Sequence, residues 1–274
     1  MTPLRNEPEL WAADLRWPGD ETHKHLRGRM GVVSGPALRT GAARLAARAG
    51  LRVGAGLVTV LAPPSAAPVL AQSLEAVMLR SCATASDVAA AAASMGAVVL
   101  GPAAGIDART RSIIEALAPL DVARVLDADA LTIIAEDLPG LAGAIGAGDV
   151  ITPHEGEFER LFPGRLATGR EAAASAAAER LGCVVVLKGA RTLIAAPDGA
   201  LVENHHASPW LATAGSGDVL AGLIAGLLAQ GVPAFKAASA AVWMHGDAAL
   251  RFGPGLIAED LPELIPAVLA GLAK

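Results

Sequence analysis

Short apolar runs alternate with alanine-rich helical patterns along most of the sequence, and this alternation restricts the fold more than any other feature. Most of the runs end at Gly, Pro or Asp. Strands that alternate with helices are typical of a parallel sheet covered by helices on both faces. The pattern predicts a first helix at 41–51. The predicted strands of this part lie at 30–34, 57–61, 98–100, 124–127 and 149–152.

The pattern changes near residue 183, where two apolar runs are separated only by the short segment KGAR. Strands at 183–187 and 192–196, followed by an Asp-Gly turn signal and a further strand at 201–203, predict antiparallel edge strands. Three helical patterns follow, at 217–230, 234–251 and 261–272. The sequence therefore predicts a mostly parallel central sheet with an antiparallel edge, in a three-layer α/β/α arrangement.

The chain shows no internal repeat and no linker long enough to divide it. We expect one domain over residues 1–274, which is within the size range of single α/β domains. Residues 1–23 are polar, with Trp11, Trp17 and Pro18, and predict an irregular N-terminal arm.

The apolar composition raises the question of a membrane protein, since 53% of the residues are hydrophobic and only 18% are charged. A membrane-spanning helix needs about 20 predominantly apolar residues. The uncharged stretches at 53–74, 88–106 and 219–235 are broken by proline, glycine or glutamine. Much of the hydrophobic count is alanine. The sequence therefore predicts a soluble protein whose strands are buried on both faces.

Charge, aromatic content and cysteine usage exclude other classes. The formal net charge is −5, aromatics are 3% of the residues and there is no basic tract, which argues against nucleic-acid binding. Cys82 and Cys183 are too few and too far apart for a metal knuckle or a disulfide framework. With no apolar signal-peptide core at the start, we expect a reducing, cytoplasmic location.

The segment ATAGSGDVLAG at 212–222 is the most informative one. Its small residues form a turn that opens a helix, and the N–H groups of such a turn can bind an anion. Asp218 beside this anion hole could act as a base toward a substrate hydroxyl. Capping of the helix by Asp218 is an equally good interpretation of this segment alone.

The segment ITPHEGE follows the fifth predicted strand, at the sheet edge where open α/β sheets bind ligands. It presents His154 and Glu157, and a carboxylate here could organise the waters around Mg²⁺ on a polyphosphate. The alternative is that Thr152 or Glu155 caps the following helix.

Other segments carry weaker signals. Lys188 and Arg191 in VLKGART could hold phosphates or belong to an exposed hairpin, and Asp127 and Asp129 in LDADAL could bind a metal or cap a helix. The loops SGPALRTG and LGPAAG would let a ligand approach the backbone. The GAGD string at 146–149 is interpreted as a turn. His205 and His206 lack a third ligand for a metal site, and His245 is interpreted as a packed or capping residue.

The sequence has no Walker-type phosphate loop, no GxGxxG after a strand and no GxSxG. These absences argue against P-loop nucleoside triphosphatases, Rossmann dinucleotide sites and α/β-hydrolases.

The order of these segments resembles the ribokinase-like superfamily: a TPxxxE-like segment, a KG loop between edge strands, and GSGD opening a helix. Longer strings, including HKHLRGRMGVVSG, GAARLAARAGLRVGAGLVTV, LGPAAG, VLDADAL, TPHEGEFERLF, LKGART and TAGSGDVLAGLIAGLLAQG, narrow the resemblance to the NAD(P)H-hydrate dehydratase family. The resemblance runs from about His23 to Asp247. It implies a ribokinase-like fold and an enzyme that repairs NADHX and NADPHX, the hydrated reduced cofactors, at the expense of ADP or ATP.

The resemblance also implies roles for individual residues. Asp218 would be the catalytic base that deprotonates the substrate hydroxyl, and loss of phosphate from the phosphorylated intermediate would restore NAD(P)H. Glu157 would organise Mg²⁺ through water. The anion hole would be formed by Ala214, Gly215, Ser216 and Gly217. The hydrate would be contacted by Ala42, Gly105, His154 and Asp218. The adenine nucleotide would be contacted by Lys188, Gly189, Ala190, Arg191, Thr192 and Gly217.

The sequence departs from the family pattern around the expected hydrate pocket. Gly35 and Pro36 replace a frequent Gly-Gly pair, Ala103 and Ala104 stand within GPAAG where many members have GPGLG, and His25 replaces a frequent tyrosine. The GSGD, HEGE and KGART segments are unaffected.

Two other functions share these motifs. One is a small-molecule kinase of the same superfamily, acting on a sugar or a hydroxymethyl-heterocycle. The other is a nucleotide-binding regulator without catalysis, which retention of Asp218 disfavours. The family often forms homotetramers, and apolar surface would be compatible with that. Many relatives carry an epimerase domain, which 274 residues leave no room for, so we expect pairing with an epimerase outside this chain.

Overall fold

The computed structural model describes residues 2–273, in which a single ten-stranded sheet forms the middle layer. Its strands are β1 (Leu4–Arg5), β2 (Arg29–Val33), β3 (Leu57–Ala62), β4 (Met78–Ser81), β5 (Ala97–Leu100), β6 (Ala123–Leu126), β7 (Val150–Ile151), β8 (Val184–Leu187), β9 (Thr192–Ala195) and β10 (Leu201–Asn204).

The strand order is β1-β10-β9-β8-β7-β6-β5-β2-β3-β4. All neighbours are parallel except the β8–β9 and β9–β10 pairs, in which β9 runs opposite to the rest. The mostly parallel sheet with antiparallel pairing near one edge is therefore confirmed. The two outermost strands, β1 and β4, were not predicted from the sequence; their side chains are largely exposed.

Helices cover both faces of the sheet. They are α1 (Gly41–Arg52), α2 (Ala67–Ala71), α3 (Ala85–Ala92), α4 (Ala108–Leu117), α5 (Asp129–Glu136), α6 (Leu138–Leu141), α7 (Glu155–Leu161), α8 (Arg170–Leu181), α9 (Ser216–Ala229), α10 (Ala234–Phe252) and α11 (Asp260–Leu272). One core lies between the sheet and α1, α9, α10 and α11, and a second lies between the sheet and α3, α4, α5, α7 and α8. The predicted three-layer arrangement is confirmed.

Helix α9 is the most deeply buried helix of its layer, with an apolar surface on all sides. It packs directly against the backbone of α1. A Cβ on Gly222 would lie 2.2 Å from the carbonyl oxygen of Ala46, and one on Gly226 would lie 3.0 Å from that of Gly50. Glycines at these positions let the two helices approach more closely than side chains would allow.

The N-terminal arm is better ordered than the prediction of an irregular segment. It adds β1 to the sheet edge and contains two short 3₁₀ helices. Trp11 is fully buried, and its Nε1 donates to Oδ1 of Asn6. The Asn6 amide in turn donates to Asn204 and to the Ser239 carbonyl. These buried hydrogen bonds fix the arm onto β10 and α10.

Among the helices of the described residues, none combines the length and the apolar character that crossing a membrane requires. The long uncharged stretches are instead divided between buried strands, turns and helices of the two cores.

A buried ion pair joins the strands at the end of the sheet opposite the loops described below. Arg124 at the start of β6 contacts Asp149 with Nε at 2.9 Å and Nη2 at 2.5 Å, and both side chains are at least 94% buried, being 6% and 2% exposed. Asp149 also accepts from the backbone N–H of Gly146, which closes the turn predicted for GAGD. The turn is confirmed, and its aspartate has the further role of neutralising a buried guanidinium.

We expect Asp149→Ala to destabilise the protein by about 3–5 kcal/mol, because it leaves the Arg124 charge buried without a partner. Urea denaturation followed by circular dichroism measures the change. Glu7→Gln, which removes an ion pair with Arg5 on the surface, is the control and should have a much smaller effect. A similar small effect of both substitutions would contradict the role of the buried pair.

Candidate active site

The candidate site lies at the carboxyl end of the sheet, beside the point where the strand order reverses. The chain builds β2, β3 and β4 in one direction and then continues with β5 on the other side of β2. Ligands of open α/β sheets bind in the crevice at such a reversal. The loops that follow β2, β5, β6, β7 and β8 all reach this edge.

The loops that follow β2, β5 and β6 pack against one another through their backbones. A Cβ on Gly35 would lie 1.9 Å from the carbonyl oxygen of Ala103, and one on Gly101 would lie 1.7 Å from that of Asp127. Ala103 has a φ of 53°, in the left-handed region. The departure from glycine at this position therefore leaves a left-handed residue in the loop, at a conformational cost of about 1–2 kcal/mol.

The N-terminus of α9 forms a turn at the segment that the sequence predicts to bind an anion. Its N-cap is Gly215, with a φ of 88° and no side-chain cap, and Val219 donates the first helical hydrogen bond, to Gly215. The N–H groups of Gly217 and Asp218 precede that bond and are oriented along the helix axis. The Ser216 N–H is turned toward the Thr213 carbonyl at 3.4 Å.

Asp218 is the third residue of α9, so the interpretation of this residue as the N-cap is wrong. Burial raises the pKa of its carboxyl to about 6; the negative charge of Asp127 adds to the increase, and the ammonium of Lys188 opposes it. A carboxylate with this pKa can accept a proton near neutral pH.

His245, a buried residue of α10, contacts the first turn of α9. Its Nε2 lies 3.0 Å from the Ser216 carbonyl oxygen and 3.3 Å from Ser216 Oγ. Burial lowers the pKa of His245 to about 4, so the ring is neutral near pH 7 and donates through Nε2 to the carbonyl. The interpretation of His245 as a packed residue is confirmed.

Lys188, which follows β8, lies near two acidic residues, one directly after β6 and the other in α7. Its Nζ lies 2.8 Å from Asp127 Oδ1 and 3.8 Å from Glu157 Oε2. It also lies 3.6 Å from the position of a Cβ on Gly217. The structure thus brings the predicted Lys188, Glu157 and Gly217 together, and it adds Asp127, whose role the sequence left open.

His154 is the N-cap of α7, where Thr152 and Glu155 were the predicted caps. Its Nδ1 accepts from the N–H groups of Gly156 and Glu157, and the Glu157 carboxylate accepts from the His154 N–H at 2.8 Å. This reciprocal pair forms a capping box. Since Nδ1 is the acceptor, Nε2 carries the ring proton; it lies 3.6 Å from Glu157 Oε1, and the side chain as a whole is 57% exposed.

The donor set around Lys188 fits Mg²⁺ held through water better than a protein cage. No group of three His, Cys, Asp or Glu within residues 2–273 is arranged to enclose a metal ion. Mg²⁺ usually keeps several waters and binds one or two carboxylates together with substrate phosphates. Asp127 and Glu157 supply two such carboxylates, both within 4 Å of Lys188 Nζ.

The loop at 188–192 is fixed by Arg170, which the sequence did not single out. Its Nη1 donates to the Arg191 carbonyl at 2.8 Å, its Nη2 contacts the Leu187 and Lys188 carbonyls at 3.4 Å, and its Nε lies 3.0 Å from Glu155. Gly189 lies directly against this guanidinium. The Arg191 side chain points away from Lys188, toward Glu203 at 3.9 Å.

The remaining predicted residues lie in other loops or at the ends of helices and strands. Gly105 has a φ of 104° and donates its N–H to Asp129 at 2.9 Å. Asp129 therefore binds a backbone N–H, whereas Asp127 pairs with Lys188. Ala42 lies in the first turn of α1, and Ala190 and Thr192 belong to the loop and the start of β9. His205 and His206 pair with Glu203 and Asp247 on the far side of β10.

Comparison with known proteins assigns the chain to a family. The family model described as NAD(P)H-hydrate dehydratase matches residues 30–266. The chain belongs to the NAD(P)H-hydrate dehydratase family. A relative from Xanthomonas campestris, named ADP-dependent (S)-NAD(P)H-hydrate dehydratase, is 35% identical over 97% of this chain and 95% of its own length. The chain also spans about half the length of several curated relatives that it matches, named bifunctional NAD(P)H-hydrate repair enzymes.

Solved structures support the same fold. A ribokinase-like superfamily protein from Enterococcus faecalis, 24% identical, superposes with a TM-score of 0.86 over 97% of this chain and 95% of its own. The ADP/ATP-dependent NAD(P)H-hydrate dehydratase of Bacillus subtilis, co-crystallised with ATP and Mg²⁺, is 26% identical with a TM-score of 0.85 over 99% of each chain. The predicted ribokinase-like fold of this family is therefore confirmed.

We expect Asp218→Asn to stabilise the protein at pH 7.5 by about 1–2 kcal/mol. The folded-state pKa of Asp218 is raised from 3.8 to about 6, so the folded protein binds this proton more tightly than the unfolded chain. The carboxylate therefore costs stability above pH 6, and that cost disappears as the pH falls toward 4.

Denaturation at pH 7.5 and at pH 4, with Asp121→Asn on the surface as control, measures this difference. The gain of the Asp218 variant should be present at pH 7.5 and absent at pH 4. An equal effect at both pH values would show that folding does not raise the pKa of Asp218.

Proposed function

We propose that this chain converts NADHX and NADPHX to NADH and NADPH, with ADP or ATP as the phosphoryl donor. The observation that carries the proposal is the position of Asp218. A carboxyl with a pKa of about 6 lies at a helix N-terminus, next to the cluster of Lys188, Asp127 and Glu157. Proton acceptance and phosphate binding are thus possible within one site.

The chemistry proposed for Asp218 is general base catalysis. It accepts the proton of the hydrate hydroxyl, whose oxygen attacks the terminal phosphoryl group of the nucleotide. The new P–O bond replaces the bond from that phosphorus to the bridging oxygen, so AMP leaves from ADP, or ADP from ATP. The N–H groups of Gly217 and Asp218 stabilise the charge on the transferring group. The phosphorylated ring then loses phosphate, and a proton leaves the adjacent ring carbon, so the double bond of the reduced cofactor is restored.

The residues around Lys188 are proposed to bind the nucleotide. The Lys188 ammonium contacts its phosphates, and the loop of Gly189, Ala190, Arg191 and Thr192, held by Arg170, presents backbone groups beside it. Mg²⁺, when bound, would neutralise phosphate charge with Asp127 and Glu157 as its carboxylates, Glu157 through water. Ala42, Gly105 and His154 are proposed to contact the hydrate.

The oligomeric state, the partner enzyme and the cellular location are proposed from fewer observations. Exposed large side chains such as Leu26, Leu38 and Val69 favour self-association, for which we propose a homotetramer. The bifunctional relatives favour pairing with an NAD(P)H-hydrate epimerase. Cys82 and Cys183 are free and buried, which favours a reducing, cytoplasmic setting.

Incubation with NADHX and either ADP or ATP, followed at 340 nm, tests the activity. We expect recovery of NADH. Asp218→Asn should lower turnover by about 10²–10⁴-fold, since it removes the base, while nucleotide binding measured by calorimetry is kept. Asp121→Asn is the matched control. Phosphorylation of a vitamin precursor without recovery of NADH would instead support the small-molecule kinase, and full activity of Asp218→Asn would refute the role of this residue.

We expect Lys188→Met to raise the KM for ADP or ATP by about 10- to 100-fold, because a charged hydrogen bond to phosphate is lost. Lys188→Arg keeps the charge opposite Asp127 and should lose less. Arg191→Ala should raise the KM less than Lys188→Met, since its side chain points toward Glu203. Circular dichroism checks that each variant is folded, and equal KM values for wild type and Lys188→Met would contradict the proposed contact.

A further inference from the structure

His245 reaches the first turn of α9 from a neighbouring helix. It lies in α10, which packs against α9, and only 6% of the residue is exposed. Its Nε2 lies 3.0 Å from the Ser216 carbonyl oxygen and 3.3 Å from Ser216 Oγ. Burying a polar ring is costly unless its hydrogen bonds are made, so an apolar side chain would fill the same space at lower cost. The chemistry proposed above gives this ring no role.

The hydrogen bond from His245 acts on the peptide unit that carries the Gly217 N–H. A trans peptide is planar, so its carbonyl and its N–H point in opposite directions and turn together. When His245 Nε2 donates to the Ser216 carbonyl, it therefore also sets the direction of the Gly217 N–H. This N–H belongs to the first turn of α9, where N–H groups have no partner within the helix. Lys188 Nζ lies 3.6 Å from the position of a Cβ on Gly217, so the peptide adjoins the proposed phosphate site.

Few backbone donors are available at this end of α9. The Ser216 N–H is directed to the Thr213 carbonyl at 3.4 Å, which leaves the N–H groups of Gly217 and Asp218 for the transferring charge. A hydrogen bond accepted by a peptide carbonyl polarises the peptide and strengthens its N–H as a donor. His245 thus acts on one of the two N–H groups to which the proposed reaction assigns charge stabilisation.

The imidazole ring donates this hydrogen bond without carrying charge. Burial lowers the pKa of His245 to about 4; the positive charge of Lys188 contributes to the decrease, and the hydrogen bond to Ser216 opposes it. The ring is therefore neutral near pH 7. A permanent cation at this position would instead lower the pKa of Asp218, which burial raises to about 6.

The backbone of α10 at His245 is fixed by its neighbours along the helix. A Cβ on Gly246 would lie 1.7 Å from the carbonyl oxygen of His206, so α10 directly contacts the segment that follows β10. Asp247 accepts from Arg251 at 2.6 Å and lies 2.9 Å from His206 Nε2. Because these contacts restrain α10, His245 can orient the first turn of α9 rather than follow its movements.

On the basis of the proposed function, we propose that His245 is a positioning residue for the anion hole, holding and polarising the Ser216–Gly217 peptide so that the Gly217 N–H binds the transferring phosphoryl group. In this role His245 touches neither the nucleotide nor the hydrate. Charge on the transferring group is greatest in the transition state, so the effect of His245 falls on kcat more than on the binding of either substrate.

Steady-state kinetics of two variants test the inference. His245→Leu removes the donor, whereas His245→Gln places an amide N–H the same number of bonds from Cα as Nε2. We expect His245→Leu to lower kcat by about 10- to 100-fold, with the KM for NADHX and for ADP within about threefold of wild type. His245→Gln should keep kcat within about fivefold of wild type, because the hydrogen bond is retained.

His206→Gln is the matched control, since its ring pairs with Asp247 and stacks on Trp243. It should leave kcat within about twofold of wild type, because it makes no hydrogen bond to the anion hole. Thermal denaturation checks that each variant is folded at the assay temperature. A wild-type kcat in folded His245→Leu enzyme, or equal losses of kcat in His245→Leu and His245→Gln, would overturn the inference and leave the proposed function intact.

The amide nitrogen chemical shift of Gly217, measured by NMR, gives a readout independent of turnover. It should move upfield in His245→Leu, where the hydrogen bond to the preceding carbonyl is lost, and stay near the wild-type value in His245→Gln. Both variants lack the imidazole ring, so a difference between them reports the hydrogen bond and not the ring current. Gly231, just beyond the other end of α9, should be unchanged in both.

The two readouts separate failure of the inference from failure of the proposed function. If wild type does not recover NADH but the Gly217 shift depends on residue 245 as described, the proposed reaction fails and the positioning of this peptide by His245 holds. Identical Gly217 shifts in His245→Leu and His245→Gln would overturn the inference, whatever the activity of the wild-type protein.

Discussion

The close contact between α1 and α9 determines the position of the candidate site. Gly222 and Gly226 bring α9 against the α1 backbone, and the helix is buried along nearly its whole length. Since its other side lies on β2, β5 and β6, α9 can shift only by disturbing the sheet. The first turn, with Asp218, is thus fixed opposite Lys188 at the end of β8. A larger residue at position 222 would move the proposed base away from the proposed phosphate site. Alanine and the buried apolar strands account for a mean hydropathy of +0.46, although no helix within residues 2–273 is long and apolar enough to cross a membrane.

Conformational strain is concentrated in the loops of the same site. Within residues 2–273, Ala103 and Ala128 are the residues other than glycine with positive φ, at 53° and 49°, and both follow central strands. Each is held in place by its neighbours. The Ala103 carbonyl packs on Gly35, and Ala128 lies between Asp127, paired with Lys188, and Asp129, which accepts from Gly105. Strained residues persist where surrounding contacts define their conformation, and they concentrate at functional sites. Ala103 therefore adopts a left-handed conformation that glycine would adopt without strain.

The fold was largely predictable because buried strands carry a strong local signal. The predicted ranges of β2, β3, β5, β6 and β8 differ from the observed ones by one residue at one or both ends, since each is a run of apolar residues between turn residues. β1 and β4 were missed because their exposed side chains do not distinguish them from loops. The partners in the site were less predictable, since the Lys188–Asp127 and Arg124–Asp149 pairs join residues 61 and 25 positions apart. A sequence shows which residues carry charge, but sheet order decides which of them meet. His154 was not recognised as a cap because histidine is uncommon there, and Arg170 because it acts through backbone carbonyls.

The charges of the site explain why the proposed reaction needs more than one source of positive charge. Asp127, Glu157 and Asp218 place three carboxylates around one lysine. A nucleotide bound there adds further negative charge, which would raise the pKa of Asp218 and keep its proton in place if nothing compensated it. Three features oppose this: the Lys188 ammonium, the N-terminal N–H groups of α9, and the capacity of Asp127 and Glu157 to share a divalent cation with phosphate.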